Sequence, residues 1–254
     1  MNVAGGVSHW DEDGGRIFRV RLDRPPGHIL DRTLVAAVGR ALAEVPATAF
    51  ATVLDASGAH FSYGASIPEH APGLVAPALG EFHALLKAML AHPAPLACAV
   101  RGRCLGGGLE VALACDRIVA SPDATLGCPE IRIGALAPAA SVLLPERMGI
   151  GAARALLLTG RPIDAREALR IGLVDELAED PSEAAAAWAR THLLGLSRSS
   201  LRVAVRAARM AACSRVLPAL DEVERLYLGE LMATPDAAEG VAAFLEKRPP
   251  RWSS

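Results

Sequence analysis

Apolar residues Ile17, Phe18, Val20 and Leu22 alternate with polar ones between Gly15 and Leu22. A period near two predicts a strand with one face in a core. Arg24-Pro25-Pro26-Gly27 stops that strand. Asp31 then caps a predicted helix that carries Leu34, Val38, Leu42 and Val45 on one face. Ala51 to Leu54, Leu96 to Val100 and Arg117 to Ala120 are short apolar runs and predict further strands. Leu79, Phe82, Leu86 and Leu90 predict a helix that His92-Pro93 stops. Short strand, loop and helix therefore recur, and the pattern predicts an α/β core.

The strand signals end near Leu143. Asp164 with Glu167 reads as a capping box, and Gly172 ends the helix it opens. Asp180, Pro181 and Glu183 open the next helix in the same way. Helical periods continue through Val203, Ala207 and Met210, then through Leu220, Val223, Leu226, Tyr227 and Leu231. Thr234-Pro235 opens a last helix that ends near Lys247. These helices are amphipathic with no obvious core of their own, which suggests subunit contacts. The prolines and glycines from Pro68 to Gly80 suggest one mobile surface segment.

Composition narrows the function. A 52% hydrophobic content and a net charge of -2 exclude a disordered chain and speak against a nucleic-acid footprint. No uncharged stretch exceeds thirteen residues, the length of 88–100 and 133–145. Both contain prolines and fall short of the roughly 18–20 apolar residues of a membrane span. Asp11, Glu12 and Asp13 stand where a signal peptide would carry basic residues. The five cysteines show no C-x-x-C spacing and read as reduced thiols of a cytoplasmic protein. No His, Cys and Asp cluster has zinc-ligand spacing, so no metal is expected.

Three stretches are candidates for chemistry. Gly106-Gly107-Gly108-Leu109-Glu110 follows a predicted strand and precedes an apolar helix. The glycines read either as a tight turn or as a close approach of backbone N–H groups to a ligand. Phosphate-loop spacing is absent. Glu110 lies on a helix that is apolar almost all round, where a carboxylate is either a first-turn acid at a solvated edge or a general acid or base. Glu130 follows Cys128-Pro129 in a loop; alone it is a solvated acid or a cap. With Glu110 it suggests two carboxylates facing one water, their proton affinities pushed apart. Phe61-Ser62-Tyr63-Gly64-Ala65-Ser66 is a small-residue turn, either a plain surface turn or a second N–H donor. His70 reads as a packed or surface histidine or as pocket lining, and Asp116 as a local partner at its helix end.

The chain resembles the crotonase (enoyl-CoA hydratase/isomerase) superfamily over nearly its whole length. The resemblance is carried by Leu22 to Pro25, the Phe61–Ser66 turn, R-G-R-C-L-G-G-G-L-E-V-A-L-A-C-D from Arg101 to Asp116, and Gly127 to Gly134. It continues through Leu158-Thr159-Gly160 to Gly172-Leu173-Val174 and Ala243 to Arg248. It implies a spiral of ββα units over residues 1–195, holding an acyl-CoA site, and a helical oligomerisation region over residues 196–254. It implies that the N–H groups of Ala65 and Gly107 form an oxyanion hole for a thioester carbonyl. Glu110 and Glu130 match the two catalytic glutamates of the family's hydratases. Tyr63, Gly64, Ser66, Gly106, Cys128 and Pro138 fall at positions that imply contact with substrate or CoA. The implied partner is an acyl-CoA thioester, with no cofactor beyond the CoA of the substrate, no nucleic acid and no membrane. The implied assembly is a homotrimer or homohexamer.

Phe61 to His70, Ala137 to Gly149 and K-R-P-P-R-W from Lys247 to Trp252 resemble more closely the cyclohexa-1,5-diene-1-carbonyl-CoA hydratases of anaerobic aromatic degradation. Four departures from the general hydratase pattern accompany this. Ser66 replaces an aspartate, Cys128 a glutamine, Pro138-Ala139-Ala140-Ser141 a glycine-rich stretch, and Pro26 a lysine that meets a CoA phosphate. They imply a reshaped acyl pocket, such as one for a ring. The resemblance also leaves room for a general short-chain enoyl-CoA hydratase or isomerase, or for a non-catalytic RNA-binding relative.

Overall fold

The structure is a computed structural model that describes residues 2–71 and 73–253. Its strands are β1 (Asn2–Ala4), β2 (Val7–Glu12), β3 (Ile17–Leu22), β4 (Ala51–Ala56), β5 (Leu96–Val100), β6 (Arg103–Leu105), β7 (Arg117–Ala120), β8 (Thr125–Gly127), β9 (Ile163–Asp164) and β10 (Glu176–Leu177). Its helices are α1 (Arg32–Ala43), α2 (Val75–Leu90), α3 (Gly107–Leu113), α4 (Pro138–Met148), α5 (Ile150–Thr159), α6 (Ala165–Arg170), α7 (Pro181–His192), α8 (Arg198–Gly229) and α9 (Pro235–Leu245). Short 3₁₀ turns cover Ile67–His70, Pro129–Ile133 and Leu231–Ala233.

Seven strands form one sheet in the order β1-β2-β3-β4-β5-β7-β10, and β6-β8-β9 form a second. The first three strands of the large sheet run antiparallel; from β3 onward neighbours are parallel. Successive strands from β5 to β8 alternate between the two sheets, as a ββα spiral requires.

The large sheet is covered on both sides, and this explains its continuous apolar runs. One face carries Phe18, Val20, Leu54, Cys98, Val100, Ile118 and Ala120 into the main core. The other presents Ile17, Ala51, Val53, Ala97, Ala99 and Val119 to Ala185, Ala186 and Ala189 of α7. Alanines on α7 let helix and sheet approach closely. Val216, Leu220 and Val223 of α8 join the main core, so α8 roofs the same core that holds α3 and α4.

Several expectations need correction. Strands do not end near Leu143, because β9 and β10 follow; they are two residues each and show no period. The two helical runs of the C-terminal third are one helix, α8, which passes through Pro218. The segment from Pro68 to Gly80 is mostly ordered: Ile67–His70 is a 3₁₀ turn, α2 begins at Val75, and Pro72 lies outside the described residues. Asp116 is not a local partner. Its carboxylate accepts from the Leu96 N–H at 2.7 Å and from Arg209 Nε at 2.7 Å, which ties α8 to the start of β5.

Other signals match the structure. Asp31, Asp164 and Asp180 each accept first-turn N–H groups of the helices they precede. Four of the cysteines are buried, Cys213 is half-buried, and all five are free.

Candidate active site

Three loops are tied together by the backbone. The Leu105 N–H donates to Ser62 O at 3.0 Å, and the Gly106 N–H donates to Gly127 O at 2.8 Å. The Phe61–Ser66 turn, the start of α3 and the end of β8 therefore meet at one place. Ser62 is fully buried and holds the turn: its hydroxyl donates to His28 O at 2.9 Å and accepts from the Gly64 N–H at 3.1 Å. Gly108 lies so close to Ser62 that a Cβ would stand 2.6 Å from the Ser62 Cβ.

The same closeness brings two N–H groups together. A Cβ on Gly107 would lie 3.2 Å from Ala65 N, and one on Gly64 would lie 3.5 Å from Gly107 N. Gly107 opens α3, where the first N–H groups of a helix lack intrahelical acceptors. Gly64 has φ 105°, which turns the chain toward Gly107 as an L side chain would not. Gly106, by contrast, has its N–H committed to Gly127 and acts on the site through its shape.

Glu110 is not a solvated helix acid. It is 4% exposed, and its Oε1 accepts from the Ala140 N–H at 2.8 Å. Ala140 lies in the first turn of α4, whose N-cap Ala137 has no side chain able to cap. Glu110 supplies from outside the acceptor that α4 lacks. Pro138 sets this start at the first helical position.

Glu130 sits in the 3₁₀ turn after Cys128, held by the Ala135 N–H donating to Glu130 O at 3.0 Å and by left-handed Gly134 at φ 67°. Gly240 of α9 packs directly on Ile133 O, with no room for a Cβ. Glu130 Oε2 is buried and has no hydrogen-bond partner among the described residues. Its Oε1 fills the space that a Cβ on Gly106 would need. The side chain thus reaches the start of α3, the helix that carries Glu110.

Both carboxyls are pushed well above the usual carboxylate range, and burial is the first cause for each. The Ala140 and Ala139 N–H groups oppose this at Glu110. At Glu130 the charge of Glu110 adds to it. The Cys128 thiol is also pushed up, by burial and then by the charges of Glu130 and Glu110. Cys128 is therefore held as a neutral, buried thiol. The arrangement favours one proton shared by the pair, released more readily from Glu110, which accepts the Ala140 and Ala139 N–H bonds, than from Glu130, which accepts only its own N–H and feels the charge of Glu110.

The flanking residues fall as follows. Tyr63 lies across Gly27, under the Arg103 guanidinium at 5.7 Å from its ring centre, and is partly exposed. Ser66 is nearly buried, and its carbonyl lies 2.9 Å from His70 Nδ1. His28 is buried beneath this surface. One further residue escaped the sequence reading: Tyr227 of α8, 2% exposed, whose ring meets His70 edge-on at 6.4 Å. Its helical period marked it only as core.

The sequence profile of the enoyl-CoA hydratase/isomerase family matches residues 12–254. The chain is 52% identical over 248 residues to a cyclohexa-1,5-dienecarbonyl-CoA hydratase of Thauera aromatica, covering 96% of each chain. It is 38% identical over 207 residues to a probable enoyl-CoA hydratase of Mycobacterium bovis, covering 80% of each. A solved structure of a putative enoyl-CoA hydratase from Mycobacterium avium paratuberculosis superposes with a TM-score of 0.86 at 27% identity, covering 98% of this chain and 99% of that one. With a profile match over almost its full length and a relative that shares half its residues, this chain belongs to the enoyl-CoA hydratase/isomerase family.

Proposed function

We propose that this protein is a hydro-lyase that adds water to cyclohexa-1,5-diene-1-carbonyl-CoA and forms 6-hydroxycyclohex-1-ene-1-carbonyl-CoA. The observation that carries the hydration chemistry is the pair of buried Glu110 and half-buried Glu130, whose Oε2 is enclosed, beside the Ala65 and Gly107 N–H groups. The choice of a cyclic dienoyl thioester rests on the 52% identity to the Thauera enzyme.

The thioester oxygen sits between the Ala65 and Gly107 N–H groups. Glu110, as carboxylate, takes a proton from a water held between the two acids. The hydroxide oxygen bonds to the ring carbon β to the thioester, and the electron pair moves onto the carbonyl oxygen. The two N–H donors meet that negative charge where it develops. Glu130 then delivers its proton to the far terminus of the diene, and the remaining double bond comes to rest beside the thioester. One proton enters Glu110 and one leaves Glu130, so the pair resets by a single proton exchange. The CoA of the substrate is the only carrier required. Tyr63, Gly64, Ser66, Gly106, Cys128 and Pro138 form the surroundings of the thioester in this reading.

Straight-chain enoyl thioesters take the proton on the α carbon instead, so the two substrate classes place Glu130 differently. Assay of the dienoyl thioester against crotonyl-CoA, with mass detection of the water adduct, is expected to give a clearly higher kcat/KM for the ring. Preference for crotonyl-CoA would assign the protein to straight chains.

The pH profile carries the mark of the pair. The rate rises as Glu110 loses its proton and falls as Glu130 loses its own. Because both carboxyls are pushed up, a bell-shaped kcat/KM profile is expected, its acid limb well above the ordinary carboxylate value of about 4. An acid limb at that ordinary value would mean a solvated base.

Exposed Val203 and Met210 on α8, with Phe244 and Leu245 at the end of α9, support contacts between subunits, which we read as a trimer or a dimer of trimers. The division into a core of residues 1–195 and an oligomerisation region of residues 196–254 follows the same reading. No helix among the described residues is long and apolar enough to cross a membrane. A cytoplasmic location fits this and the free thiols.

A further inference from the structure

Tyr227 is a polar group in this region that the hydration scheme leaves unused. It lies on the face of α8 that enters the core, one turn beyond Val223 and two beyond Leu220. The residue is 2% exposed, and its hydroxyl has no hydrogen-bond partner among the described residues. Buried hydroxyls are nearly always paired, because an unpaired one has lost water and gained nothing.

Its surroundings say what the missing partner is. The ring meets His70 edge-on, and His70 is fixed on Ser66 O, next to the Ala65 N–H. Burial and then the charges of Glu130 and Glu110 push the hydroxyl up, so it stays protonated and is a donor. Glu130 Oε2 is a second buried atom with no partner among the described residues. A donor and an acceptor that lie in one site, both open and not bonded to each other, call for a small polar group between them.

We propose that the Tyr227 hydroxyl donates a hydrogen bond to the reacting water and so aims that water at the substrate carbon. This rests on the hydratase reading above. A water oxygen has two protons and two lone pairs. Glu110 accepts one proton and Glu130 Oε2 the other; Tyr227 occupies one lone pair. The last lone pair is then the one free to attack. No bond to the phenol oxygen forms or breaks.

The test is Tyr227→Phe, which removes the hydroxyl and keeps the ring. kcat for hydration is expected to fall about 10–100-fold, the scale of a misplaced reacting group, with KM unchanged. The thermal midpoint is expected to stay level, since the hydroxyl bonds no other described residue of the fold. A merely structural tyrosine would do the reverse, lowering the midpoint and sparing kcat. Full kcat in Tyr227→Phe, or a loss confined to KM, overturns the role given to Tyr227. Glu110→Gln in the same assay separates the two levels. If it is dead while Tyr227→Phe is fully active, only the tyrosine's role falls; if it too turns over fully, the hydratase reading falls with it.

Discussion

Glu110→Gln and Glu130→Gln are each expected to lower hydration turnover by about 100- to 10,000-fold, the usual range for a positioned general acid or base. The amide keeps the volume of the carboxyl and, at Glu110, an oxygen for the Ala140 N–H at 2.8 Å. What it loses is the ability to take or give a proton. Fold and substrate binding should therefore survive, and the loss should fall on kcat. Stability should move the other way. A carboxyl whose folded pKa is raised binds its proton more tightly in the native state than in the unfolded one. Its burial cost is absent below the unfolded value of about 4 and grows as pH rises toward the folded one. Either glutamine variant should thus melt above the parent at neutral and alkaline pH, with the gap closing in acid. Thermal melts across pH, read beside single-turnover rates, check both halves. Variants that retain near-full turnover would remove the two-carboxyl mechanism.

Gly106→Ala is the second substitution with a large expected effect, and it acts through geometry alone. Gly106 has φ 51°, a conformation that costs a non-glycine residue about 1–3 kcal/mol. The new Cβ would also occupy the place of Glu130 Oε1. That oxygen ends a flexible side chain, so the collision is relieved by moving the Glu130 carboxyl rather than the backbone. The strain should appear as a fall in melting temperature of ~2–4 °C per kcal/mol. The displaced acid should appear as a loss of turnover of about 100-fold or more. Turnover near the parent level, with only the melting temperature reduced, would mean that the Glu130 position is not the productive one.

Much of the scaffold was legible because its signals are local. β3 and α1 announce themselves by period, β4, β5 and β7 by apolar runs, and α6, α7 and α9 by the residues that cap them. β2 escaped notice because its pattern is mixed, with Ser8 buried and Trp10 only half-buried. β9 and β10 are too short to show a period, and they are strands only because β8 and β7 offer free edges. α4 carries no capping side chain of its own, so nothing local marks its start; its cap is Glu110, 30 residues earlier.

Read alone, the chain determined an α/β scaffold, two acids of the right type, and glycines where backbone must come close, because periodicity, capping and chain turns are properties of neighbouring residues. Only the tertiary structure decided that Glu110 is buried, that it caps α4, that Glu130 reaches the start of α3 across Gly106, and that Tyr227 arrives from α8 with an open hydroxyl. Those relations join segments far apart in the chain. Proton affinity depends on them as well, since it follows from which neighbours and how little water surround a group once the chain has folded.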